Sequence, residues 1–174
     1  MMRIALFATL LASFAPAGAG AAGLDELNRF AGTWDAPGTL LTTPYSTAAH
    51  ADAVNTCGWS QDHIFMICQQ SLAIDGKPSH VISIYTYDET ANAYHFFNVH
   101  RNGAASTTIA VAGDTITYTD SFTDKGKRVT IRTLNVWENP DRYRWRTEYS
   151  TDGGATWSLM ASGISQRRRI EAPH

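Results

Sequence analysis

Residues 142–149 read Arg-Tyr-Arg-Trp-Arg-Thr-Glu-Tyr. Charged side chains at Arg142, Arg144, Arg146 and Glu148 alternate with Tyr143, Trp145, Thr147 and Tyr149. A period of two is that of a β-strand with one wet and one covered face. Burying three arginines is costly, so the aromatic set is the inner one. Residues opposite one another across a hairpin share a face, so this phase can be carried along the chain from turn to turn.

Turn signals stand at Asp75-Gly76, residues 89–92, Asn102-Gly103, Gly113-Asp114, Asp124-Lys125-Gly126, Asn139-Pro140-Asp141 and Asp152-Gly153-Gly154. Asn-Gly and Asp-Gly are strong hairpin signals because both central residues need positive φ. A turn near Pro140 pairs Trp137 with Tyr143, Asn135 with Trp145, Thr133 with Thr147 and Ile131 with Tyr149. Across Asp124-Lys125, Val129 is expected to face Asp120 and Ile131 to face Tyr118, with Thr115, Thr117 and Thr119 outside. The inner set then runs through Val111, Ile109 and Thr107 to His100, Asn98, Phe96 and Tyr94. The next hairpins add Tyr87, Tyr85, Ser83 and Val81, then Leu72, Gln70, Cys68 and Met66, and finally Cys57 and Trp59. Each hairpin closes without flipping a face, which a one-residue slip would prevent.

About ten strands result, each beside its predecessor, and no long helical period appears. The expected fold class is all-β: an antiparallel up-and-down barrel preceded by a short helix over residues 24–31, where apolar residues fall at helical spacing. A two-sheet sandwich is the alternative. A barrel of this strand number is too wide to be filled by side chains, so it can hold a small ligand.

The N-terminus carries Arg3, an apolar run over residues 4–14 and a small-residue tract to Gly23. This predicts a secretory signal peptide over residues 1–22 and a single domain over residues 23–174; an uncleaved anchor is the alternative. No Cys follows the apolar run, which argues against a lipoprotein. Secretion or periplasmic export makes Cys57 and Cys68 candidates for a disulfide. A tight turn at Asp62-His63 sets them directly opposite, and two buried free thiols are the other possibility. The formal net charge is −2 and no basic stripe appears, so no nucleic-acid partner is expected, nor a membrane once the leader is removed. Arg167-Arg168-Arg169 reads as a solvated terminus.

Gly32-Thr33-Trp34, after the short helix and at the first strand, resembles the Gly-x-Trp of the calycin superfamily of lipocalins, fatty-acid-binding proteins and nitrobindins. The resemblance implies that Trp34 closes the base of the barrel, against an arginine of the last strand such as Arg167 or Arg168. The chain is also similar to lipocalin-like bacterial exported domains, which carry an Asp-Gly-Gly-x-x-Trp hairpin like that at residues 152–157. The same run resembles the Asp-box of sialidases, but it occurs once in a chain too short for a propeller. It reads as a turn in which Asp152 bonds local amides. Nitrobindin-like proteins hold haem through a late His; only His174 follows His100 here, so haem is not implied.

The inner face is unusually polar. Tyr85, Tyr94, Asn98, Thr133, Asn135, Tyr143, Trp145 and Tyr149 are the candidate ligand-binding residues, with Tyr87 and Gln70 on the same face. His100 and Asp120 fall near one end of the barrel, and with Tyr118 they form a candidate acid–base set. The other histidines have outward phase or loop positions. No spacing suggests a metal site, a phosphate loop or a dinucleotide fingerprint, so no cofactor is expected. Three readings stay open: a binding barrel for a small, partly aromatic or apolar molecule; a cofactor-independent lyase or isomerase using His100, Asp120 or a tyrosine; and a structural module with a filled interior. The leader and disulfide expectations share one check. The intact mass of exported protein should lack residues 1–22 and the two thiol hydrogens of Cys57 and Cys68. A full-length mass or two alkylatable thiols would refute them.

Overall fold

The alternation at residues 142–149 becomes a strand, and its phase holds around the whole sheet. In the computed structural model, which describes residues 23–169, a 3₁₀ helix (Leu24–Phe30) precedes eleven strands. These are β1 (Gly32–Asp35), β2 (Gly38–Leu40), β3 (Ala49–Trp59), β4 (Phe65–Ile74), β5 (Lys77–Asp88) and β6 (Ala93–His100). Then follow β7 (Gly103–Ala112), β8 (Thr115–Asp124), β9 (Lys127–Asn139), β10 (Arg142–Ser150) and β11 (Ser158–Arg167). The expected leader, residues 1–22, and His174 lie outside the described residues.

From β2 to β11 every strand pairs antiparallel with its neighbour in sequence, and β1 and β2 share the same two partners, β3 and β11. They act as one stave broken at Ala36-Pro37, where proline has no N–H to give to a ladder. Ten staves therefore close into a barrel, and the sandwich alternative is excluded. Closure leaves no continuous free edge at the seam.

The expected pairings around Tyr143, Trp145 and Cys57 hold residue for residue. The β8–β9 register differs by two: Phe122 faces Val129, Asp120 faces Ile131 and Tyr118 faces Thr133. The central turn residues are Lys125 and Gly126, both at positive φ (48° and 78°), rather than Asp124-Lys125. A type I′ turn needs that geometry at both positions, and Gly126 supplies one of them without strain. A slip of two keeps the faces, so the inner set survives. β7 and β8 pair only from Ile109–Tyr118 to Ala112–Thr115; residues 103–108 and 119–124 have no ladder between them.

The helix end of the barrel is solid. Leu27 and Phe30 enter it from the helix, Phe30 stacking on Tyr85 and meeting Trp137 edge-on, both at 5.0 Å between centroids. Trp34, 1% exposed, donates from Nε1 to the Phe30 carbonyl at 2.8 Å. The Arg167 guanidinium lies over the Trp34 ring, 4.2 Å from its centroid. Arg167 also donates to the carbonyls of Ala31, Arg29 (3.2 Å) and Pro140 (2.9 Å) and pairs with Asp141 at 3.1 Å. Arg168 pairs with Asp35. The reading of Arg167-Arg168 as a solvated tail is thus corrected: an arginine's planar fork can serve several carbonyls at once, and here it ties the last strand to the helix and the first strand. Cys57 and Cys68 form a disulfide with Cα atoms 4.0 Å apart, the close spacing of a non-hydrogen-bonded pair.

Removing the Arg167 fork leaves several carbonyls without donors. Arg167→Ala should lower unfolding free energy by about 2–3 kcal/mol, and Arg167→Lys should restore little, because an ammonium cannot reproduce the fork. Urea denaturation followed by tryptophan fluorescence checks this. An unchanged midpoint in the alanine variant would show that the lock is ornamental.

Candidate functional site

Tyr143, Tyr85 and Trp34, with Phe30 beneath, make the floor of a cavity in the other half of the barrel. Its volume is about 470 Å³. Its walls follow the inner phase: Gln70, Leu72 and Ile74 from β4, Val81, Ser83 and Tyr85 from β5, Phe96 and Asn98 from β6. Tyr118, Thr133, Asn135, Tyr143 and Trp145 complete the far side. The disulfide lies in the wall between them. No charged or histidine side chain lines this chamber.

Six of the eight expected ligand-binding residues line it: Tyr85, Asn98, Thr133, Asn135, Tyr143 and Trp145. Tyr94 and Tyr149 share the inner phase but stand at opposite ends. Tyr94 is buried in the base, donating its hydroxyl to the Gly23 carbonyl at 2.8 Å and packing on Tyr87. Tyr149 meets Tyr45, from the loop between β2 and β3, at 5.0 Å. Periodicity gives the face of a side chain and says nothing of its height along the barrel axis. The expectation also passed over Asn55, Ala51 and Ala53 on β3 and Ser165 and Ala161 on β11. Extending the parity of Cys57 down β3, and of Tyr143 and Trp145 across to β11, reaches them.

The acid–base candidates are placed differently. Tyr118 lines the cavity, its hydroxyl 3.2 Å from that of Tyr85. His100 is exposed at the end of β6, where Nδ1 accepts from the Asn102 amide at 3.2 Å. Asp120 is exposed on β8 and accepts from the Ser121 amide at 2.7 Å. No ion pair joins His100 to Asp120 among the described residues. Through β7, His100 faces Gly103 while Asp120 lies just past the last β7–β8 pair, Ile109–Tyr118, so the two stand at different heights.

Burial pushes the phenol of Tyr85 up, with the Tyr118 hydroxyl bond partly opposing. Burial also holds Tyr118 and Tyr143 above the usual phenol range. Burial, helped by the charge of Glu26, pushes Tyr94 up to about 12. At neutral pH these hydroxyls are hydrogen-bond donors and acceptors and supply no phenolate base. Three polar atoms of the lining, Asn98 Oδ1, Trp145 Nε1 and Ser165 Oγ, are buried without a hydrogen-bond partner in the protein. Trp145 is held flat by its neighbours: a Cβ on Gly38 or Gly163 would come within 2.2 or 2.6 Å of the indole. Among the described residues no group of three His, Cys, Asp or Glu is placed to hold a metal ion.

The hairpin at residues 150–157 is structural. Asp152 Oδ1 accepts from the Ser150 hydroxyl (2.6 Å) and the Thr156 amide (3.0 Å), and Ser150 Oγ accepts from the Gly154 amide (2.8 Å). Trp157 packs under the Arg132 guanidinium, 3.9 Å from ring centroid to Cζ.

No family model matches the chain, and no curated protein matches its sequence. The fold is calycin-like. It is similar to the crystal structure of Rv2717c from M. tuberculosis, at 16% identity and a TM-score of 0.58 over 87% of this chain and 99% of that one. Weaker likenesses are to EF1p2_mFAP2b bound to DFHBI (11%, TM-score 0.46, 84% and 100%) and to the S-type phycobiliprotein lyase CPES of Guillardia theta (8%, TM-score 0.42, 87% and 95%).

The raised phenols set an alkaline limit. In the unfolded chain they ionise near pH 10, while the fold keeps them neutral, so deprotonation favours unfolding. Stability is therefore full below about pH 10 and falls as pH rises further. Urea midpoints measured from pH 9 to 11 should decline, and less steeply in Tyr118→Phe. Identical slopes in the two proteins would contradict the assignment.

Proposed function

We propose that the protein is an exported binding barrel for a small, partly aromatic or apolar molecule. The observation that carries this reading is the chamber itself. It is about 470 Å³, uncharged, floored by aromatic rings, and holds three buried polar atoms without partners. That size and that mix of apolar wall with a few fixed polar groups are those of small-molecule sites. Tyr85, Tyr118, Tyr143 and Trp145 would stack on the ligand, while Asn98, Thr133, Asn135 and Gln70 orient it. An interior that only served packing would be filled at crystal-like density.

Export is supported by the Cys57–Cys68 disulfide, since such bonds persist in oxidising compartments, and by the composition of residues 1–22. We take the mature chain to be one domain beginning near residue 23. Proton transfer through His100, Asp120 and Tyr118 ranks below binding, because His100 is engaged by its own turn and the cavity phenols stay protonated at neutral pH.

The test uses the exported protein. Native mass spectrometry is expected to show a co-purifying small molecule, and the neutral probe N-phenyl-1-naphthylamine should fluoresce on binding. Ser83→Trp, which fills the chamber from β5, should weaken that probe at least about tenfold, a cost near 1.4 kcal/mol, while keeping the wild-type urea midpoint within experimental scatter. The absence of both a retained molecule and probe binding in the wild type would overturn the reading.

A further inference from the structure

The barrel wall is interrupted between β7 and β8. Past the Ile109–Tyr118 pair no ladder joins the two strands. Instead the Thr107 hydroxyl reaches across and donates to the Thr119 carbonyl at 2.7 Å. A second chamber of about 110 Å³ occupies this gap, and it shares Phe96, Asn98, Tyr118 and Thr133 with the main cavity. Small side chains, Ala105 and Ser106, leave its outer side open.

The gap is acceptor-rich. Among the described residues Asn98 Oδ1 is buried without a donor, and the Asp120 carboxylate accepts only from the Ser121 amide of its own strand. Asp120 is also the one charged side chain in the linings of the two chambers together. The nearest basic neighbour on β9, Arg132, is turned outward and held by Glu148 at 2.7 Å and by the ring of Trp157. A neutral aromatic chamber that opens into a side arm with a single carboxylate and an orphan carbonyl matches a molecule with an apolar body and one cationic end.

We propose that the β7–β8 gap is a cation subsite: it takes the ammonium of an aromatic amine between Asp120 and Asn98, with the ring seated against Tyr118 and Phe96. Charge-assisted hydrogen bonds to the carboxylate and the carbonyl oxygen would satisfy the ammonium, and Tyr118 and Phe96 add aromatic contact with the ligand ring. The assignment rests on the reading of the barrel as a binder.

The experiment is displacement of N-phenyl-1-naphthylamine by three indoles of similar size, at neutral pH: tryptamine, 3-ethylindole and indole-3-propionate. Tryptamine should bind about fivefold more tightly than 3-ethylindole, as for a partly exposed ion pair, with indole-3-propionate the weakest. About 0.5 M salt should narrow the gap. Asp120→Asn should remove the preference while leaving 3-ethylindole unchanged, and Asp120→Lys should turn it toward indole-3-propionate. Tryptamine with no advantage over 3-ethylindole, or an advantage that survives in Asp120→Asn, overturns the subsite while leaving the binder reading intact. Failure of the naphthylamine probe to bind at all overturns both.

Discussion

Closure at the seam between β11 and the broken β1–β2 stave is the constraint on which the rest of this molecule depends. An open ten-stave meander would expose two free edges and a half-covered aromatic face. Two contacts hold the seam at different heights. At the base, Arg167 joins β11 to Trp34 on β1 and to the carbonyls around the helix end. Higher up, Gly38 on β2 pairs with Gly163 on β11, and the indole of Trp145 lies across them. Only glycine permits that approach, so the two glycines and the tryptophan form one unit. The Ala36-Pro37 break separates the two contacts, letting one stave follow the curvature of both neighbours.

Closure also divides the interior unequally. The helix residues Leu27 and Phe30 fill the base with Trp34, Trp137 and Tyr143, leaving no space there. Ten staves enclose more width than the remaining side chains occupy, so the other half stays open. The small residues of β3, Ala51 and Ala53, widen it further on one side. The same geometry that makes a stable floor therefore makes a ligand-sized space above it. The polar groups of the wall follow from position: Asn98, Thr133 and Asn135 sit where a larger apolar side chain would have completed the core.

Period-two patterning carried most of the fold because the constraint it reads is binary. A residue faces in or out, and an error of two in register, as between β8 and β9, leaves every face unchanged. The same tolerance leaves height along the barrel axis unspecified. Distance along the axis depends on turn geometry, which hung on Lys125 and Gly126 taking positive φ. So Tyr94 and Tyr149 were legible as inner residues and illegible as residues of the base and the rim. The pairing of His100 with Asp120 was a statement about height, and across β7 the two lie several residues apart along the strands. Arg167 was legible from the Gly-x-Trp resemblance and hidden by composition, where it looked like part of a basic tail.

Access to the chamber is shaped by two unlike walls. Over one side of the mouth the loop between β2 and β3 folds inward. It is held by the bond from the Leu41 amide to the Met160 carbonyl (2.7 Å) and by the Thr43–Ser46 hydroxyl pair (2.7 Å). Its Tyr45 sets an edge against both Phe122 (5.5 Å) and Tyr149 (5.0 Å), two residues of inner phase at the ends of β8 and β10. Aromatic contacts of this kind contribute about 0.5–1.5 kcal/mol beyond their burial, enough to favour a covered rim there. Between β7 and β8, by contrast, one threonine side chain replaces a backbone ladder. A side-chain bridge can rotate away at the cost of a single hydrogen bond, about 0.5–1.5 kcal/mol net, whereas parting a ladder breaks several together. The wall is therefore most easily parted between β7 and β8, beside the carboxylate that lines the side chamber.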